Sequence, residues 1–176
     1  MELFDITPIL TKRVLFWDES RRFAEAVLHT NMDEYRRRNQ GNAEKVKMDI
    51  TIGKYAEFAV YQHLLNEGCS LSEPDCMIYD KKSKSFDADL SCDDGLKYHV
   101  KSCRADSTFP ISWLFEHRDK LTHEPTSKDM IALCVVSEAK EVRCAIVRAL
   151  DVVDMYSAPI RKDLYKKVLY LRDFQV

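Results

Sequence analysis

Residues 85–101 read Ser85-Phe86-Asp87-Ala88-Asp89-Leu90-Ser91-Cys92-Asp93-Asp94-Gly95-Leu96-Lys97-Tyr98-His99-Val100-Lys101. Apolar and polar residues alternate on both sides of Asp93-Asp94-Gly95, the period of two that half-buried strands require. Phe86 to Leu90 and Leu96 to Val100 are therefore expected to form two strands of a hairpin. Phe86, Ala88 and Leu90 share one face of the first strand, and Asp87 and Asp89 the other. In the second, Leu96, Tyr98 and Val100 share one face and Lys97, His99 and Lys101 the other. A three-residue loop puts Gly95 at the left-handed position that such hairpins need. Cys92 then faces Leu96, and Leu90 faces Tyr98. A two-residue loop would pair Leu90 with His99 and spread the apolar set over both faces, which excludes it. Opposed side chains have Cβ atoms roughly 4.5–5.5 Å apart. Asp89 opposite His99 and Asp87 opposite Lys101 thus gather two carboxylates, an imidazole and an ammonium on one patch. Taken alone, a half-wet hairpin face with a cross-strand ion pair also accounts for these residues.

The segments on either side set the fold class. Before the hairpin, Asp18 or Ser20 caps a helix whose apolar residues Phe23, Ala26 and Val27 recur at helical spacing, and Asn39-Gln40-Gly41-Asn42 stops it. A second helix is expected from about Gly53 to Asn66, closed by Gly68. On that helix Glu57 lies between Leu64 and Tyr61 at 100° per residue, on the apolar side. An acid there must be paired, neutralised or bound to a cation; Lys54 or a tyrosine is one partner for it, and a cation shared with the hairpin carboxylates is another. Pro74-Asp75 reads as a turn before a short strand, Cys76 to Tyr79, with Asp75 a lesser ligand candidate. Ser112 to Leu121 reads as a helix, and Met130 to Ser137 and Val142 to Ala149 as strands. The order predicts an α/β or α+β domain around one mixed sheet. The expected division is a single domain over 1–176, with a helical N-terminal extension at 1–50, a core at 53–150 and a C-terminal extension at 151–176.

Composition narrows the function classes. The chain of 176 residues has 45% hydrophobic and 32% charged residues, which excludes disorder. No apolar run approaches the ~20 residues of a membrane-spanning helix, and the acidic start lacks the pattern of a secretory signal. The expectation is a cytoplasmic protein without membrane partners. Only four glycines occur and none forms a phosphate-cradling loop, so no nucleotide cofactor is expected. The six cysteines make no CxxC pair and fit no zinc template, and read as reduced, packed thiols. Net charge is −2, yet Arg36, Arg37 and Arg38, followed by Lys45 and Lys47, form a local basic region. It reads either as a solvated helix face or as a nucleic-acid footprint.

Gly53-Lys54-Tyr55-Ala56-Glu57-Phe58-Ala59-Val60-Tyr61, Asp87-Ala88-Asp89-Leu90 and His99-Val100-Lys101-Ser102 together resemble the PD-(D/E)XK nuclease superfamily over about residues 53–137. The resemblance implies a restriction-endonuclease-like fold, a mixed sheet flanked by helices with an αβββαβ core behind an N-terminal helical extension. It implies a divalent-metal-dependent endonuclease that hydrolyses phosphodiester bonds in DNA, using Mg²⁺ or Mn²⁺. Carried over by position, Glu57 resembles the helix acid, Asp89 the strand aspartate and Lys101 the motif lysine. Metal would be held by Asp89, Glu57, Asp87 or His99 and the backbone carbonyl of Val100. Histidine stands at residue 99 where the family more often has an acid. Either Asp87 supplies that carboxylate, or His99 binds metal and favours manganese, or catalysis is lost. An inactive nuclease-fold module that binds nucleic acid or protein, and an RNA endonuclease, are the competing functions. The expected partners are duplex DNA, contacted through Arg36, Arg37, Arg38, Lys45 and Lys47, and a second copy in a homodimer.

Overall fold

A computed structural model describes residues 1–37, 40–79, 88–161 and 165–174. Two helices, α1 (Leu10–Arg37) and α2 (Ala43–Asn66), pack against each other and start earlier than their apolar spacing predicts. The side chain of Asn42 accepts from the Lys45 N–H, which caps α2 ten residues before Gly53 and makes the stop of one helix the start of the next. Phe16 stacks on Phe58 at 4.8 Å between ring centroids, and Trp17 meets Tyr55 edge-on at 5.2 Å. Gly68, with φ of +86°, closes α2, and the Cys69 N–H reaches back to the Leu64 carbonyl.

The α2 face lies on a mixed five-stranded sheet of β1 (Phe4–Asp5), β2 (Leu90–Ser91), β3 (Lys97–Arg104), β5 (Asp129–Val136) and β6 (Val142–Arg148). Its spatial order is β1-β6-β5-β3-β2, with β3 and β5 parallel and the other pairs antiparallel. A smaller sheet pairs β4 (Ser112–Glu116) with β7 (Lys166–Tyr170). The fold is α+β, two N-terminal helices on a mixed sheet with a small second sheet. The first and last segments are woven into it, since β1 pairs with β6 and β7 with β4.

Strand β5 is central. Ile131 to Val136 are all buried, with Ala132, Cys134 and Val136 packed towards α2 and Ile131, Leu133 and Val135 towards the small sheet. The hairpin register is the one its turn predicts. Leu90 pairs with Tyr98, the Cys92 N–H donates to the Leu96 carbonyl at 2.9 Å, and Gly95 has φ of +85°.

Three expected elements are corrected. Ser112 to Leu121 is not a helix: Ser112–Glu116 is β4, and Lys120–Thr122 forms a 3₁₀ turn. Trp113 and Phe115 alternate with exposed Leu114, and the buried Trp113 Nε1 donates to the Cys134 carbonyl at 2.8 Å. Cys76 to Tyr79 is not a strand. The Asp75 carboxylate holds the Met77 N–H at 2.8 Å and the Tyr79 hydroxyl at 2.7 Å, a local turn that competes with sheet pairing. Of the described residues 88–90 only Leu90 enters a strand, because the Asp89 carboxylate takes the Val100 N–H that the backbone of residue 88 would otherwise pair. Phe86 and Asp87 lie outside the described residues.

Candidate active site

Glu57 sits midway along α2, with 16% of its side chain exposed. Lys54, one turn earlier and 7% exposed, places its Nζ 2.5 Å from Glu57 Oε2. The same ammonium donates to the Asp75 carbonyl at 2.7 Å and lies 4.6 Å from the centroid of the Phe23 ring. Lys54 is thus held by α1, α2 and the chain that follows α2. Burial pushes the Glu57 carboxyl up from 4.5 to about 7; Lys54 opposes this, and the charges of Asp89 and Asp75 add to it. Glu57 thus feels two neighbouring carboxylates, Asp89 and Asp75, and one ammonium, Lys54, at a largely buried position.

Asp89 reaches this group from the hairpin. Its Oδ2 accepts the Val100 N–H at 2.7 Å. In an antiparallel ladder the N–H and C=O of one residue point to the same neighbour. The Val100 carbonyl is accordingly directed to the same edge of β3 as Asp89, where β2 has ended. The edge that β2 leaves carries a carboxylate and a peptide oxygen, with Glu57 approaching from the helix side.

His99 and Lys101 project from the opposite face of β3. Tyr98 and Val100 pack with α2, while Ile131, the pairing partner of His99, belongs to the core under the small sheet. The Lys101 Nζ lies 3.6 Å from Asp119 Oδ2 and 5.2 Å from the centroid of the Phe115 ring. The His99 Nε2 lies 3.3 Å from Asp129 Oδ1. Asp119 and Asp129 come from the connection between β4 and β5 and from the first residue of β5. Sequence spacing carried no signal for either, since the pairing of β3 with β5 across some thirty positions brings Asp129 to His99. Among the described residues, no three His, Cys, Asp or Glu side chains close together at metal-binding spacing. Asp87 lies outside the described residues.

The basic residues occupy the end of the helical hairpin. Arg36 pairs with Asp33 at 3.1 Å and Arg37 with Glu34 at 3.6 Å, both with long solvent-exposed side chains. Lys47 pairs with Glu25 at 2.6 Å and Lys45 is exposed. Arg38 lies outside the described residues. Lys45 is twelve residues from Glu57 on the same helix, a distance of about 18 Å along the axis at 1.5 Å per residue. Among the described residues, no helix is long and apolar enough to cross a membrane. In comparisons with known proteins the chain matches no family model and no curated protein.

Proposed function

We propose that the chain is a divalent-metal-dependent endonuclease that hydrolyses phosphodiester bonds in DNA on a restriction-endonuclease-like fold. The observation that carries this reading is the meeting of acids at the β3 edge: Asp89 takes the Val100 N–H there, and its charge acts on the buried Glu57 beside Lys54. An oxygen-rich, negatively charged edge fits a hard divalent cation, and Asp89 with the Val100 carbonyl would hold it. Bound there, such an ion supplies neutralisation of the phosphodiester and a water acidified enough to attack it. Glu57, whose carboxyl titrates at about 7, is suited to orient that water and to take up its proton. Lys101 leaves the opposite face of β3, beside Asp119 and Phe115, and is given no role at this edge. Lys47 and Lys45 lie about 15–18 Å along α2 from Glu57, with Arg36 and Arg37 at the end of α1, close enough for the same duplex to touch both.

One observation favours a second reading. The Lys54 ammonium already neutralises Glu57 at 2.5 Å, as a built-in cation would in a nucleic-acid-binding module that has lost catalysis. Nicking of supercoiled plasmid separates the two. With Mg²⁺ or Mn²⁺ the chain is expected to nick; EDTA and Asp89→Asn are each expected to abolish it. Matched DNA and RNA substrates in the same assay report which polymer is cut. Absence of cleavage with either ion and either polymer, by protein that binds DNA, would establish the binding module instead.

A further inference from the structure

We infer that Asp129 is a positioning residue for His99: it holds the imidazole as the Nε2–H tautomer and leaves Nδ1 as the bare nitrogen. The role of that nitrogen in phosphodiester cleavage rests on the nuclease reading above; the tautomer does not.

The geometry is a completed dyad. Asp129 Oδ2 accepts from the Thr126 N–H at 2.8 Å and from the Thr126 hydroxyl at 2.7 Å, which fixes the plane of the carboxylate. Oδ1 is turned to the His99 Nε2 at 3.3 Å. Both side chains are largely buried, with 17% of His99 and 14% of Asp129 exposed, so water does not freely exchange either partner. With the Thr126 N–H and hydroxyl both donating to it, Asp129 stands as an accepting carboxylate. An ionised carboxylate only accepts. The ring atom facing it must therefore carry hydrogen, and the other ring nitrogen of the neutral imidazole must be the lone-pair donor. The parallel register of β3 and β5 builds this arrangement, because it sets Asp129 beside Lys97 and Ile131 beside His99 on one face of the sheet. A histidine whose N–H is bound to a carboxylate is a stronger donor at its second nitrogen and is held in one orientation. The electropositive group that Nδ1 takes, on the face of β3 opposite Glu57, is either a hydrogen of a bound water or a Mn²⁺ ion, and the two are told apart in the test.

The test uses the full chain labelled with ¹⁵N. Two-bond proton–nitrogen correlation of the imidazoles at alkaline pH reports which ring nitrogen carries hydrogen, and His99→Gln identifies the His99 signals among the five histidines. The wild type is expected to show Nε2 protonated and Nδ1 bare. Asp129→Asn, whose amide can donate, is expected to move His99 to the other tautomer or to a mixture of the two. Thr126→Val keeps the backbone N–H but removes the hydroxyl donor to Asp129, and is expected to broaden or mix the same signals. Wild-type His99 with hydrogen on Nδ1 overturns the inference, and so does a folded Asp129→Asn with an unchanged tautomer. Should Asp129→Asn not fold, the wild-type tautomer and Thr126→Val decide. Addition of Mn²⁺ to the wild type separates the two partners of Nδ1: selective broadening of the His99 ring signals marks the metal, and their persistence marks water. Cleavage by folded Asp129→Asn is expected to fall about 10–100-fold. Undiminished cleavage overturns the positioning role, whereas a wild type that never cleaves removes the nuclease reading and leaves the tautomer standing.

Discussion

Replacing Glu57 by Gln should stabilise the protein in alkali. The folded chain keeps the Glu57 proton up to about pH 7, whereas the unfolded chain releases it near 4.5. Between those values the folded state binds more protons than the unfolded one, so stability falls as pH rises through that window and levels off above it. The interval from 4.5 to about 7 corresponds to about 3 kcal/mol, at about 1.36 kcal/mol for each pH unit. Burial is the main cause; the neighbouring Asp89 and Asp75 add to it, and the Lys54 ammonium opposes it without overcoming the burial. Gln is the neutral isostere: its amide oxygen can still accept from Lys54, which also keeps the Asp75 carbonyl. Urea unfolding in EDTA should therefore find Glu57→Gln more stable than wild type by up to about 3 kcal/mol at pH 8.5. The two proteins should converge at pH 4.5 and below. Saturating Mn²⁺ at pH 8.5 should narrow the gap, since an ion bound by the folded wild type stabilises it by about 2.7 kcal/mol at a hundred times its dissociation constant. A variant less stable than wild type by the same amount at pH 5 and pH 8.5 would refute the reasoning. The Lys54–Glu57 pair would then be a net stabilising ion pair, with no burial penalty for Gln to relieve.

Two further outcomes follow from the fold and the basic segment. Trp113→Ala, which empties a fully buried site and removes the donor to the Cys134 carbonyl, should cost about 3–5 kcal/mol in urea unfolding. Leu114→Ala, on the exposed side of the same strand, should stay within about 0.5 kcal/mol; equal losses at the two positions would contradict the alternation of β4. Joint replacement of Arg36 and Arg37 by Ala should weaken DNA binding across all sequences and make the slope of log affinity against log salt shallower by about 1.8, if each meets one phosphate. An unchanged slope would leave both arginines paired with Asp33 and Glu34 and nothing more.

The hairpin was legible because its information is local. Alternation fixes which side chains share a face, and Gly95 at positive φ fixes the register, so Leu90 opposite Tyr98 follows from ten neighbouring residues. The same holds for Gly68 at the end of α2 and for the unbroken apolar run of β5, which is buried on both faces. Residues 112–121 were not legible in this way. Their apolar spacing fits a helix face and a strand face alike, and the choice was made by β7, whose residues pair with Ser112–Glu116 from fifty or more positions away. The candidate site divides along the same line. Glu57 on the apolar side of its helix, and Lys54 one turn before it, can be read from periodicity. Their mutual burial cannot, because α1 supplies Phe23 and the segment after α2 supplies the Asp75 carbonyl that close over them. Sequence alone likewise set Asp89 and His99 on opposed strands but assigned them to one patch. Tertiary structure turned the Asp89 carboxylate into the strand edge, to the Val100 N–H, and gave His99 to Asp129 on the far face. A short-range pattern determines which face a side chain leaves from, whereas the partner it meets there is decided by whichever distant segment the sheet brings alongside.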